Sequence, residues 1–408
     1  MNHDQPVTFV AGGTRGDVQP YVVLARAMHE HGVPAQVAAS LRWRTLVESM
    51  GVAYRPLPAD PVELLLQPRF RSALTLSYGV GAGIRSTWQY LRAMRPFVAK
   101  FVDEIPRLSD ESRAIVAGIA SQWIAHPTIG VSMPFIWGLF QPVAPTRDFA
   151  SPFVQLQLPH KLNRLSHVLM NHMMWLSWQM HGFGAGGGLT NISHQPAFFA
   201  CSHQLVPPWS DISSRHAITG WLGGIDAHSL PSLRLQEFLN NSEPFVMATF
   251  GTPAENESAM LYAKVMQACR QRGVRLLIQA PSHLTEMTVP DGVLVINENI
   301  NHQLVFAQAS VVIHHGGAGT TQACLAAGVP MVIVPRGIDQ YFWANRVYQL
   351  QLTPTLMTQN GFSVQSLYDA LTQIDVDVRY HTRMREMRQG ELGTKGLDNA
   401  IQFIRRWI

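Results

Sequence analysis

The sequence predicts an α/β protein made of two Rossmann-like, doubly wound parallel-sheet domains, and three observations carry that prediction. Short apolar strands alternate with helical patterns along both halves. Two glycine-rich turns, Gly12-Gly13-Thr14-Arg15-Gly16-Asp17 and His315-Gly316-Gly317-Ala318-Gly319-Thr320, each follow a β-branched strand and open a helix. Between them, Val206 to Gly224 is rich in proline, serine and glycine and has no sustained apolar period. The 408 residues suit two domains of about 200 residues each.

Val7–Val10 reads as the first strand. The helix after it has Val22, Val23, Leu24, Ala27 and Met28 on its inner side and closes at His31-Gly32. Val33 to Ala39, Gly51 to Tyr54, Ala114 to Ile119 and Phe135 to Leu139 read as further strands, with a helix opening at Ser121-Gln122-Trp123. From Leu162 onward Leu165, Leu169, Met173, Leu176 and Met180 recur at helical spacing, which predicts a core face; a Met/Trp surface moulded to an apolar ligand is the rival reading. Five glycines from Gly182 to Gly188 end that helix.

The pattern then restarts. Phe245 to Phe250 is a strand, Gly251-Thr252-Pro253 a turn and Ser258 to Gln271 a helix. Val274 to Ile278 and Val293 to Ile296 are strands, His302 to Ala309 a helix, Val311 to Ile313 a strand and Thr320 to Ala327 a helix. An apolar strand ending at Pro335 follows, and Leu397 to Ile408 is a terminal helix with Ile401 and Ile404 on one side. The domains are therefore placed at 1–210 and 211–390, with 391–408 a helix packing back toward the first domain.

Composition narrows the function. Hydrophobic residues make up 47% and charged ones 14%, and the net charge is only +4 without a basic tail, which argues against nucleic acid. Cys201, Cys269 and Cys324 form no metal or disulfide pattern. With the polar opening Met1–Pro6, they predict a cytoplasmic protein. No apolar run approaches the ~20 residues of a spanning helix. Six cations and no acid between Arg69 and Lys100 suggest peripheral contact with the inner membrane face, against a plainer reading as a solvated helix face.

The turn after His315 carries the chemistry. The first turn of a helix leaves main-chain N–H groups unpaired and partly positive, and glycine lets an anion approach them: a phosphate cradle. Asp339-Gln340, at the mouth of the next strand, offers acceptors and donors to a polyhydroxylated ligand. Together they suggest a sugar nucleotide. A nicotinamide cofactor is disfavoured, because the first loop is not G-x-G-x-x-G and the second strand ends in Ala38-Ala39-Ser40 with no acid for a ribose. His314 and His315 point to opposite faces of a strand and do not share a metal. Asp375-Val376-Asp377 reads as a surface turn.

Gly-Thr-Arg-Gly-Asp-Val-Gln-Pro in the first loop, with His-His-Gly-Gly-Ala-Gly-Thr, Gly-Val-Pro and Asp-Gln-x-x-Trp-Ala-Asn in the second half, resembles the family-one nucleotide-sugar glycosyltransferases of GT-B fold. The likeness is to those acting on sterols, antibiotic aglycones, carotenoids and lipid hydroxy acids. It implies an acceptor-binding N-terminal domain, a donor-binding C-terminal domain, and inverting hexosyl transfer in the cleft between them without a metal or other cofactor. The donor would be a UDP- or dTDP-sugar and the acceptor a hydrophobic hydroxyl compound. Asp17 would be the general base, its alternative role being a helix cap. His315, Gly317, Ala318, Gly319 and Thr320 would hold the diphosphate, with Gly251-Thr252 reaching the same phosphates, and Asp339 and Gln340 would bind sugar hydroxyls. Ile300 would lie by the nucleobase, although Asn299 to Gln303 lacks the family's aromatic or Val followed by Pro, and Arg336 stands where an apolar or aromatic residue is usual. A sugar-nucleotide epimerase of the same fold and a non-catalytic auxiliary protein are the rival functions.

Overall fold

The structure is a computed structural model describing residues 5–58, 80–121, 133–154, 158–180, 192–224, 231–251, 255–281, 284, 289–337, 339–358, 361–392 and 395–408. The helix expected at Ser121-Gln122-Trp123 (beyond its first residue), the Gly182–Gly188 loop, Thr252 and the stretch 69–79 lie outside the described residues. The chain forms two compact units, Met1–Gly223 with Thr394–Ile408, and Gly224–Gly393.

The first unit contains β1 (Val7–Ala11), α1 (Arg15–Glu30), β2 (Ala35–Ala39), α2 (Arg44–Ser49), β3 (Ala53–Pro56), α3 (Val80–Asp110), β4 (Ala114–Ala117), β5 (Phe135–Leu139), α4 (Asn163–Met180), β6 (Ala197–Phe199) and β7 (His216–Ile218). Its seven parallel strands run in the order β3-β2-β1-β4-β5-β6-β7. β1 is buried along its whole length, as expected of a parallel strand covered on both faces. Its single polar residue, Thr8, bonds Ser112 Oγ at 2.5 Å and accepts from Gln36 at 2.8 Å, so its burial leaves no unmet hydroxyl. Met94, Val98, Phe101, Ile105 and Leu108 form the buried face of α3 against β1, β2 and β4, while Arg92, Arg95 and Lys100 lie exposed. Exposed cations over a buried apolar face are what both readings of the basic segment expect.

The second unit contains α5 (Leu233–Asn240), β8 (Phe245–Thr249), α6 (Glu255–Arg272), β9 (Arg275–Gln279), β10 (Val293–Ile296), α7 (His302–Phe306), β11 (Val311–His314), α8 (Ala318–Ala327), β12 (Met331–Ile333), α9 (Gln340–Gln349), α10 (Val364–Val376) and α11 (Arg379–Leu392). Its five parallel strands run β10-β9-β8-β11-β12. Val246, Ile278, Val311 and Ile313 pack beneath Leu367, Leu371 and Ile374 of α10.

Two expectations are corrected. The first unit extends past residue 210, because His216–Ile218 pairs in register with Ala197–Phe199; strands of three residues are too short to display a period. It also contains the final helix, α12 (Gly396–Arg405), which donates from Asn399 Nδ2 to the Thr219 carbonyl at 2.9 Å and from Arg405 to the His31 carbonyl at 2.6 Å. The second correction concerns α4. Leu165, Leu169, Met173 and Leu176 are exposed, whereas Asn163, Ser166, His167 and Asn171 are buried. Periodicity shows that a helix has two faces, not which one is inside. Here the polar face serves the main chain of residues 143–151: Asn163 donates to the Arg147 carbonyl, Ser166 Oγ accepts from Ser151 N–H, and His167 lies against the Val143 and Phe149 carbonyls.

Candidate active site

In a doubly wound sheet, ligands gather at the carboxyl ends of the strands where strand order reverses. That point lies between β1 and β4 in the first unit and between β8 and β11 in the second. The candidate residues fall at these two places.

Asp17 is the third residue of α1. Its Oδ2 accepts from Thr14 N–H at 2.8 Å and Thr14 Oγ1 at 2.9 Å, so it does cap the helix. Gly13 has φ +115°, and any Cβ there would collide with the Asp17 carboxylate. The Gly13 carbonyl accepts from Arg42 and, at 3.2 Å, from Trp43 Nε1, which ties the turn to the segment after β2. On the β4 side, Gly12 N–H donates to the buried Ser121 Oγ at 2.9 Å. Asp17, Ser121, Tyr21, Gly118, Gly138 and Gln141 line a recess with about 10 Å³ of free space, room for a single water. Tyr21 donates to the Gly138 carbonyl; burial, and then the Asp17 charge, hold its hydroxyl well above the usual phenol range. Tyr21, Ser121, Arg42 and Trp43 were not predicted as site residues; only Ser121, directly after an apolar strand, left a local trace in the sequence.

At the second switch point the chain is built around an imidazole. A Cβ at Gly251 (φ +68°) would lie 3.1 Å from His315 Cε1, and one at Gly317 would lie 2.6 Å from His315 Nε2. Only glycine at both positions admits the ring. His315 Nδ1 is buried and has no hydrogen-bond partner. Burial pushes the ring pKa down to about 4, opposed by a bond to the Thr249 main chain, so the imidazole is neutral at pH 7. Gly317 caps α8, whose first amides, from Ala318, Gly319 and Thr320, have no acceptor within the helix. Thr321 closes the turn by donating its hydroxyl to the Gly317 carbonyl at 2.9 Å. Ala318 and Thr320 are partly accessible and Gly319 is exposed. An orphaned buried nitrogen beside partly accessible helix-end amides suits an anion.

His314 does a different job. Its Nδ1 accepts from Gly316 N–H at 3.0 Å and its Nε2 lies 3.4 Å from Met331 Sδ, so the buried ring is a structural pin; burial holds it neutral. Gly316 (φ +86°) brings the turn against α9, since a Cβ there would be 3.1 Å from the Gln340 carbonyl oxygen. Asp339 and Gln340 thus lie beside the His315 turn. Asp339 Oδ2 accepts from the fully buried Trp343 Nε1 at 3.0 Å, and Gln340 Oε1 accepts from Arg336 N–H at 2.8 Å. These bonds fix both side chains and leave the Gln340 NH2 group as the donor end.

Ile300 is half-buried in the loop after β10, on the same carboxyl edge. Next to it a polar network missed in the sequence joins the end of β9, the start of α7 and the loop after β10: His302 Nε2 contacts Gln279 Oε1 at 2.7 Å, and Gln279 Nε2 donates to the Glu298 carbonyl at 3.1 Å. The His302 ring stacks on Phe306 at 4.8 Å. Asp375 and Asp377 pair with Arg272 and Arg379 at the end of α10. Among the described residues no group of three or more His, Cys, Asp or Glu could hold a metal ion.

Residues 7–129 match the glycosyltransferase family 28 N-terminal domain, and residues 272–395 match the C-terminal domain of erythromycin biosynthesis protein CIII-like proteins. A sterol 3-beta-glucosyltransferase of Arabidopsis thaliana is 25% identical over 390 residues, covering 90% of this chain but 62% of the plant protein. The chain therefore spans under two-thirds of that relative. The O-mycaminosyltylonolide 6-deoxyallosyltransferase of Streptomyces fradiae is 25% identical, covering 98% of this chain and 97% of that protein. The crystal structure of a Streptomyces sp. SF2575 glycosyltransferase complexed with thymidine diphosphate shares the fold, with a TM-score of 0.65 and 19% identity over 98% of this chain and 99% of that one. Both halves point the same way: the chain has the GT-B fold, with a glycosyltransferase family 28 N-terminal domain and an erythromycin CIII-like C-terminal domain.

Proposed function

We propose that the protein is an inverting hexosyltransferase that moves a sugar from a UDP- or dTDP-linked donor to a hydroxyl of a hydrophobic acceptor, such as a sterol or a natural-product aglycone. The observation that carries the reading is the built anion site around His315, glycine-lined and with one buried nitrogen unmatched. Relatives named for glycosyl transfer to a sterol and to O-mycaminosyltylonolide, and a fold neighbour holding thymidine diphosphate, support the substrate classes.

In this mechanism Asp17 takes the proton of the acceptor O–H. The oxygen attacks the anomeric carbon, the bond from that carbon to the phosphate oxygen breaks, and the nucleoside diphosphate leaves with the electron pair. One displacement inverts the configuration. The amides of Ala318 to Thr320, the end of the α8 dipole and His315 stabilise the charge that develops on the leaving group, so the reaction needs no metal. Asp339 and Gln340 position the sugar through its hydroxyls.

The test is to incubate the protein with UDP- and dTDP-glucose and a panel of 3β-hydroxysteroids and macrolide aglycones. The expected product is an acceptor heavier by one hexose with inverted anomeric configuration, formed equally with chelator present. Release or epimerisation of the sugar nucleotide without an acceptor would favour an epimerase instead. Absence of any nucleotide binding by calorimetry would favour the auxiliary-protein reading.

A further inference from the structure

We propose that the outward face of α4 docks on an anionic lipid surface. This inference concerns a region separate from Asp17 and the His315 turn and does not depend on the reading of either. Of the thirteen large hydrophobic side chains exposed among the described residues, six lie on this helix and its lead-in: Leu162, Leu165, Val168, Leu169, Met173 and Leu176. They are 37–62% exposed and recur at helical spacing, forming one stripe. The opposite face is polar and buried, with Asn163, Ser166, His167 and Asn171 each at 5% exposure or less.

A surface helix normally carries its apolar side inward. The inversion here is locked, because the polar side chains hydrogen-bond main-chain groups of residues 143–151 and cannot exchange places with the leucines. An apolar stripe fixed toward the outside needs an apolar medium.

Charge selects among occupants. The segment from Phe149 to Met180 contains no Asp or Glu. Lys161 is exposed at the N-terminal end of the stripe, and Arg147 is exposed on the loop that Asn163 anchors, beside an equally exposed Asp148. Arg164 is also exposed, although Asp211 lies 3.3 Å from it. Apolar side chains that enter the headgroup boundary, bordered by cations, suit an anionic bilayer. A second copy would bring no carboxylate from Phe149–Met180 to meet Lys161.

The full chain should co-sediment with vesicles of phosphatidylcholine containing one-third phosphatidylglycerol at least tenfold more than with phosphatidylcholine alone, and less as salt is raised. The triple variant Leu165→Gln/Leu169→Gln/Met173→Gln should lose binding at least tenfold, and Lys161→Glu several-fold. Thermal midpoints and far-ultraviolet circular dichroism report that each variant is folded. Wild-type protein that ignores both vesicle types would overturn the proposal, as would a triple variant that binds like wild type. A wild-type dimer that the triple variant converts to monomer, without vesicle binding, would assign the stripe to a second copy and equally overturn it.

Discussion

The two switch-point turns have the same topology and opposite electrical designs. In the first, a strand ends in Gly12-Gly13, and the turn spends its main-chain donor at Thr14 on its own Asp17. The negative charge is supplied by the protein and held by the protein. In the second, a strand ends in His315-Gly316-Gly317, and no acidic side chain occupies the first turn of α8. Its amides and a buried imidazole nitrogen face a charge the chain does not provide. One turn suits a fixed anionic base, the other an incoming anion, and a single fold element serves both through one choice: whether the third helical residue is Asp17 or Thr320.

The largest effect expected from breaking this comparison is Asp17→Asn. An amide oxygen can still accept from Thr14 N–H, so the cap persists, but the base is gone. Transfer should fall about 10³-fold, within the range for losing a general base, while donor affinity stays within about twofold. Steady-state kinetics and donor titration on the same variant check both halves. Activity equal to wild type would return Asp17 to a purely capping role.

Gly317→Ala comes next. The added methyl must push the His315 ring, whose Nε2 it would approach to 2.6 Å. Losing charge-assisted contacts to the diphosphate should weaken donor binding about 10- to 100-fold. The acceptor side should be untouched, so the KM for acceptor stays level. Equal losses for donor and acceptor would argue against a donor-specific cradle.

Much of this was legible in the sequence, for a physical reason. β1 and β11 are runs of apolar, β-branched residues followed by glycine pairs, and the second glycine of each pair, Gly13 and Gly317, is there because a side chain of the same turn, Asp17 or His315, occupies the space of a Cβ. Local signals of that kind survive in one dimension. The ties of Arg42 and Trp43 to the Gly13 carbonyl do not, since about thirty residues intervene and nothing in Leu41-Arg42-Trp43 marks a target. The Gln279–His302 contact is invisible for the same reason. Asp339-Gln340 was legible as a polar pair, but not that Trp343 and Arg336 hold it in place. α4 shows the opposite failure: its period was plain and its polarity inverted, because the partners that reward burying Asn163 and His167 are carbonyls in a distant loop.

The imidazole of the second turn gives a sharper, pH-resolved contrast. His315 ionises at about 4 in the folded chain, against about 6.5 when unfolded. The unfolded state therefore takes up the proton first as pH falls. The neutral ring costs no stability above pH 6.5, and folding should weaken between pH 6.5 and 4 by up to about 3 kcal/mol from this group. A bound UDP-sugar, whose diphosphate stays charged over that range, raises the ring's proton affinity. Donor binding near pH 5.5 should then take up a fraction of a proton, visible as a calorimetric enthalpy that changes with the ionisation heat of the buffer. His315→Gln should abolish that buffer dependence. The first turn has no equivalent group.

The smallest effect expected is at Thr14, and it separates capping from catalysis. Thr14 gives Asp17 Oδ2 two donors, the main-chain N–H and the hydroxyl, at 2.8 and 2.9 Å. Thr14→Ala removes only the second, so α1 should lose about 1 kcal/mol, the usual scale for a helix-terminal bond. Thr14→Ser keeps a hydroxyl and should recover most of that loss in a denaturant titration. If the carboxylate acts only as a cap, stability and nothing else will follow the hydroxyl. If it must also be aimed at an acceptor, the Ala variant will turn over several-fold more slowly at unchanged donor affinity, and Ser will rescue it. A rate that ignores both substitutions would mean that the hydroxyl does not orient Asp17, and it would then belong to the helix rather than to the reaction.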